Sequence, residues 1–155
     1  MTLVLDELFD GVTFTQNFRI QKTMQLVHFR PWIIKWGTPP AGDMVLQILK
    51  DAVILKEVRL TAAEINAAIP ATFFHGQLRF DLEPLQLNYN RKEANTEYQV
   101  KIFMDGYVTD SDNFYGLIRR YEQKFYPTYG AGVTGGEAVN DTIEPLGFEL
   151  FEYTY

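Results

Sequence analysis

Apolar and polar side chains alternate along much of this chain. Val12, Phe14, Phe18 and Ile20 are interleaved with Thr13, Thr15, Asn17 and Arg19, the period-two pattern of a strand with one buried face. The same period recurs at Leu78, Phe80 and Leu82 within 77–83, and at Tyr98, Val100, Ile102 and Met104. A longer apolar stretch from Met24 to Trp36 is interrupted by Pro31. It predicts two short strands or one bent edge strand, because proline cannot donate to a ladder. Met44–Leu49 and Val53–Leu60 read as two further strands, with Lys50-Asp51 between them as a tight hairpin or a bulge. Leu85 and Leu87 continue the 77–83 pattern across a bend at Pro84. Asp105-Gly106 is a hairpin signal leading to Tyr107-Val108, and Phe114–Tyr121 fits either a strand or a short helix.

Breakers divide these runs. Gly37-Thr-Pro-Pro-Ala-Gly42 is a loop, and Asn88–Thr96 is a polar connection. One helix is predicted, over about 61–69. Thr61-Ala-Ala-Glu64 is a capping box, Leu60 and Ile65 stand at the flanking staple positions, and Pro70 stops the helix after about two turns. From Thr128 to Gly136 four glycines in nine residues predict a flexible connector. A short strand-like stretch follows at the C-terminal end. The expected organisation is therefore an all-β, jelly-roll-type β-sandwich of about eight strands over 1–127. Residues 128–155 form a Gly-rich connector and an extended C-terminal arm.

Composition narrows the function classes. The chain has 155 residues, enough for one domain with a real core, and its 46% hydrophobic content excludes a wholly disordered chain. No run approaches the roughly 18 apolar residues of a membrane span, and the opening Met-Thr-Leu-Val-Leu-Asp-Glu carries no basic leader region, so no membrane partner is expected. The net charge is −6, and five of the acids but none of the Lys or Arg residues fall in Tyr126–Tyr155. An acidic chain without a basic stripe is a poor partner for nucleic acid, whose binding depends on Lys and Arg displacing counterions.

Candidate chemistry is sparse. There is no cysteine and a single serine, Ser111, and neither a nucleophile elbow nor a phosphate loop occurs, so no enzyme activity and no catalytic residue are expected. His28 and His75 stand apart from other ligand types, and each reads as a hydrogen-bonded structural histidine. Asp105, Asp110, Asp112 and Asn113 collect oxygens that could hold Ca²⁺ near Asp110 and Asp112, but without the order of an EF-hand; the alternative is a solvated turn, and no cofactor is assigned. Trp32 and Trp36 lie four apart and would share one strand face, either packed or as a ligand platform. Phe148, Leu150, Phe151, Tyr153 and Tyr155 are apolar groups that need burial, in the chain's own sandwich or against a neighbour.

Residues from about 11 to 125 resemble, in their strand layout, the small jelly-roll accessory domains of tailed-bacteriophage particles: capsid-decoration (cement) proteins and tail or fibre adaptors. That resemblance implies a non-enzymatic structural protein located on the virion, with homo-oligomeric and other virion partners. The segment from Phe74 to Leu87, with Glu97 to Phe103, is also similar to paired strands of galactose-binding-like sandwiches. That likeness implies the alternative, a carbohydrate- or receptor-binding module with a glycan partner.

Overall fold

The structure is a computed structural model that describes residues 2–8, 13–20, 23–39, 41–72, 74–93, 96–106, 112–121, 128–134 and 151–154. Among these residues the chain forms strands β1 (Thr2–Leu8), β2 (Thr13–Ile20), β3 (Met24–Phe29), β4 (Trp32–Trp36), β5 (Asp43–Lys50) and β6 (Val53–Leu60). Helix α1 (Ala62–Ala68) follows, then β7 (Phe74–Gln77), β8 (Phe80–Leu87), β9 (Thr96–Asp105), β10 (Phe114–Tyr121), β11 (Thr128–Thr134) and β12 (Phe151–Thr154). The fold is all-β apart from one short helix, and every ladder is antiparallel.

The pairing is nested around the β5–β6 turn. Lys50 pairs with Val53, Phe29 with Phe80, Phe14 with Ile102 and Leu5 with Ile118. The chain thus runs out and back as one long ribbon, with β5–β6 at its tip. Two lateral ladders, β5 with β9 and β4 with β10, then join strands from different levels of that ribbon. The resulting sheets are ordered β11-β2-β9-β5-β6, β1-β10-β4-β7 and β12-β3-β8. The last two form one interrupted layer. Phe29↔Phe80 and Trp32↔Gln77 keep a single register across Pro31, and the Leu78 N–H donates to the Pro31 carbonyl at 3.1 Å across the gap. Proline's missing donor breaks the ladder without changing its alignment.

One core lies between the layers. It draws Phe14, Phe18 and Ile20 from β2, Leu26 and Phe29 from β3, Ile33 from β4 and Met44, Leu46 and Ile48 from β5. Ile65 and Ile69 join from the helical segment, Phe80 and Leu82 from β8, and Tyr98 to Met104 in alternation from β9. Phe14, Phe18 and Ile20 of β2, the expected inward face of β9, and Leu78, Phe80 and Leu82 are buried, while Val12 lies outside the described residues. On β5 the outward-facing Val45 and Leu49 are buried as well.

Local chemistry explains the turns. Asp51 (φ 52°) and Ala52 (φ 63°) are both left-handed, as a two-residue hairpin twisted to match its strands requires. Leu55 is left over between the pairs Ile48↔Lys56 and Leu49↔Ile54, so the ribbon tip combines a tight turn with a bulge. At Pro84, Leu82, Glu83 and Pro84 stand opposite Val27 alone. Glu83 turns left-handed (φ 63°) there, with its N–H on Asp81 Oδ1 at 3.0 Å. The helix is capped as its sequence dictates: Glu64 N–H donates to Thr61 Oγ1 at 3.3 Å, and Thr61 N–H donates to Glu64 Oε2 at 2.7 Å. Thr61→Ala is expected to lower stability by about 1 kcal/mol, within the roughly 0.5–2 kcal/mol range of such caps. A denaturant melt with an unshifted midpoint would show that the box contributes nothing.

Two expectations are corrected. The twelve described strands exceed the expected eight or so, partly because Pro31 splits one run into β3 and β4, and the Leu78-Arg79 break opposite separates β7 from β8. Thr128–Thr134, expected as a flexible connector, is strand β11 on β2, with a register shift between Thr128 and Ala131. Glycine's freedom is removed there by the ladder: hydrogen bonds to β2 hold the chain extended regardless of local propensity. Phe114–Tyr121, ambiguous in sequence, is a strand because β1 and β4 pair with it on both sides. Gly106 ends β9 at φ +68°, and the rest of that hairpin lies outside the described residues.

Candidate functional site

The β3–β4 and β7–β8 ribbon builds a face that none of its segments shows alone. On β4, Ile33 is fully buried and points to the core, so Trp32, Ile34 and Trp36 point outward by the two-residue period. Trp32 is 43% exposed and Trp36 39%, which removes them from the core and leaves two indoles on the surface. Four residues of strand separate them by about 13 Å. Each indole is braced by a ring from a neighbouring strand: Trp36 stacks on the buried Phe114 of β10 at 6.0 Å and 17°, and Trp32 meets His75 of β7 at 6.0 Å and 54°. Between them, Ile34 pairs with Gly116 of β10.

Because the register runs unbroken past Pro31, the face continues with polar groups. His28 and Arg30 extend it on one strand, and His75, Gln77, Arg79 and Asp81 line the other. Arg79 Nη2 donates to His28 Nε2, tying the two strands together on this face. Gln77 Nε2 donates to the Arg30 carbonyl at 2.8 Å, holding the rim in place. The two histidines, isolated in sequence, thus lie on one face, and its aromatic stripe and polar rim suit a ligand with both flat apolar faces and hydroxyls. The sequence marks Trp32 and Trp36 as a platform and His75 only as a structural histidine, and it gives no site role to Gln77, Arg79 or Asp81. The signal was the alternating run 75–81, with polar residues at every odd position.

A concavity of about 490 Å³ opens beside the ribbon tip, lined by Leu49, Lys50, Asp51, Ala52, Glu93, Glu97, Tyr98 and Gln99. Lys50 Nζ lies 3.3 Å from Glu93 and 5.1 Å from the centre of the Tyr98 ring. Tyr98 donates its hydroxyl to the Asn88 carbonyl at 2.7 Å, and burial pushes its phenol above the usual tyrosine range. The phenol therefore stays protonated at neutral pH and serves as a fixed wall.

The remaining candidates fall elsewhere. Asp110 lies outside the described residues, and Asp112 is exposed in the turn before β10. Phe148, Leu150 and Tyr155 also lie outside them. Phe151 and Tyr153 belong to β12, paired with Phe29 and Leu26 of the same chain's β3. No protein-family model matches the chain, and no curated protein matches its sequence.

Proposed function

We propose that this chain is a non-catalytic jelly-roll subunit of a virus particle, a capsid-decoration protein or a tail or fibre adaptor, that works by surface contact. The nested ribbon supports the jelly-roll reading, since a long antiparallel hairpin rolled into two sheets is the layout of that class, which serves viral shells and lectins alike. Fold alone does not choose between these jobs. The observation that carries the contact reading is the placement of large apolar groups outside the core: Trp32 and Trp36 on one sheet face, and Val53, Ile54 and Leu55 at the ribbon tip. Apolar area presented together on a rigid sandwich marks an interaction surface.

A second reading has its own support. Two braced indoles about 13 Å apart, rimmed by Arg79, Asp81, Gln77 and His75, offer what a glycan uses: stacking for its ring faces and hydrogen bonds for its hydroxyls. Purified protein is to be applied to a glycan array and, in parallel, sought as fitted density in particles from its source. Density without a glycan signal supports the assembly reading, and a glycan signal without density supports the sugar reading. Trp32→Ala combined with Trp36→Ala is expected to abolish whichever signal the wild type gives. Both indoles are partly exposed, so the loss of stability should be about 1–3 kcal/mol, below the 3–5 kcal/mol typical of buried aromatics. A double variant that keeps the signal would remove this face from the function.

A further inference from the structure

Strand β6 closes one edge of the five-stranded sheet; among the described residues it has a ladder partner, β5, on one side only, and β8 of the facing layer packs close to it without sharing a ladder. Its apolar end is unusually open, with Val53 61%, Ile54 49% and Leu55 41% exposed. Proteins usually protect such edges, and the bulge at Leu55 and the inward turn of Lys56, whose Nζ pairs with Glu83 at 2.7 Å, protect part of this one. From Lys56 to Leu60 the strand is regular. Val58 and Leu60 pack against the core, while Glu57 and Arg59 are two apart on the outward face.

We propose that β6 pairs antiparallel with β6 of a second copy, across a two-fold axis at Val58, joining two five-stranded sheets into one. This deepens the contact reading above by assigning one interface and its occupant, and it rests on that reading. A two-fold normal to the sheet keeps each residue on its own face, so only registers that pair inward with inward and outward with outward positions are allowed. An axis at Lys56 sets lysine against lysine, and an axis at Glu57 sets glutamate against glutamate. With the axis at Val58, Glu57 of each copy faces Arg59 of the other, twice, and opposite charges directly across a ladder are favourable.

The side chains are held ready for this. Arg59 Nε is bound to Glu57 at 2.9 Å and Nη1 to Asp105 at 2.6 Å, and Nη2 has no partner among the described residues. Hydrogen bonds from Gln47 and Arg59 hold the Glu57 carboxyl below the usual glutamate range, so it is charged at neutral pH. The same register lays Ile54 and Leu55 beside the stretch from Leu60 to Ala62 of the second copy, covering the open apolar end.

The full chain is to be followed by analytical ultracentrifugation over a range of concentrations. The wild type is expected to dimerise, and Glu57→Arg or Arg59→Glu alone to weaken dimerisation about ten-fold. Glu57→Gln should weaken it less than Glu57→Arg, because it removes the attraction to Arg59 of the other copy without setting arginine against arginine. The chain has no cysteine, so a single Val58→Cys reports the axis directly. Partners on a two-fold lie within the roughly 4.4–6.8 Å Cα range of a disulfide. Val58→Cys should therefore give a reducible covalent dimer, and Lys56→Cys should not, since Lys56 would face Leu60. A wild type that stays monomeric, single exchanges without effect, or no Val58→Cys cross-link each overturns the interface. A monomer still found on particles would overturn this interface alone and leave the assembly reading standing.

Discussion

Phe80→Ala should destabilise the protein by about 3–5 kcal/mol, the cost of removing a buried aromatic ring and leaving a cavity. Phe80 is fully buried on β8, directly opposite Phe29 on β3, with the two rings tilted at 41° and their centres 6.5 Å apart. A domain of this size has a total stability of roughly 5–15 kcal/mol, and the loss takes a large share of it. Urea unfolding should show a lower midpoint with an unchanged slope, while Phe80→Leu should lose no more than about 1.5 kcal/mol. A loss below about 1 kcal/mol for the alanine variant would mean that the two layers do not close over this ring.

Gly37→Ala comes next in expected size, and it links stability to the candidate site. Gly37 follows Trp36 at φ +67°, where an L-residue costs about 1–2 kcal/mol. An added Cβ would also lie 2.7 Å from Asn113 Oδ1 and against the Asp112 carbonyl. Retreat is opposed on both sides, because the Asn113 Oδ1 accepts the Thr38 N–H at 2.9 Å and the Thr72 hydroxyl, donating to the Gly37 carbonyl, holds Gly37 in place. Overpacking of this kind costs about 1–3 kcal/mol, which gives roughly 2–5 kcal/mol in all. The strain falls on the start of β10, where Phe114 braces Trp36, so tryptophan fluorescence should shift together with the melting midpoint. An alanine variant with wild-type stability and fluorescence would show that this loop does not position the indole.

Features that depend only on neighbours within a few residues are legible in the chain. The period-two runs placed the inward faces of β2 and β9. Thr61 and Glu64 built a helix cap from their own backbone donors, and Pro31 separated β3 from β4. The polar odd positions of 75–81 were also on the page, but their partner strand was not.

Tertiary structure decided everything that required a ladder partner. Glycine-rich residues 128–134 are extended because β2 supplies their hydrogen bonds, and Phe114–Tyr121 is a strand because β1 and β4 flank it. Trp32 and Trp36 are on the surface because Ile33 between them took the core side, and His28 and His75 share their face because one register crosses the Pro31 gap. A side chain's face follows from its own strand's period, but which face meets the core, and what stands beside it, follows from pairing across dozens of residues. Local sequence carries no term for that pairing.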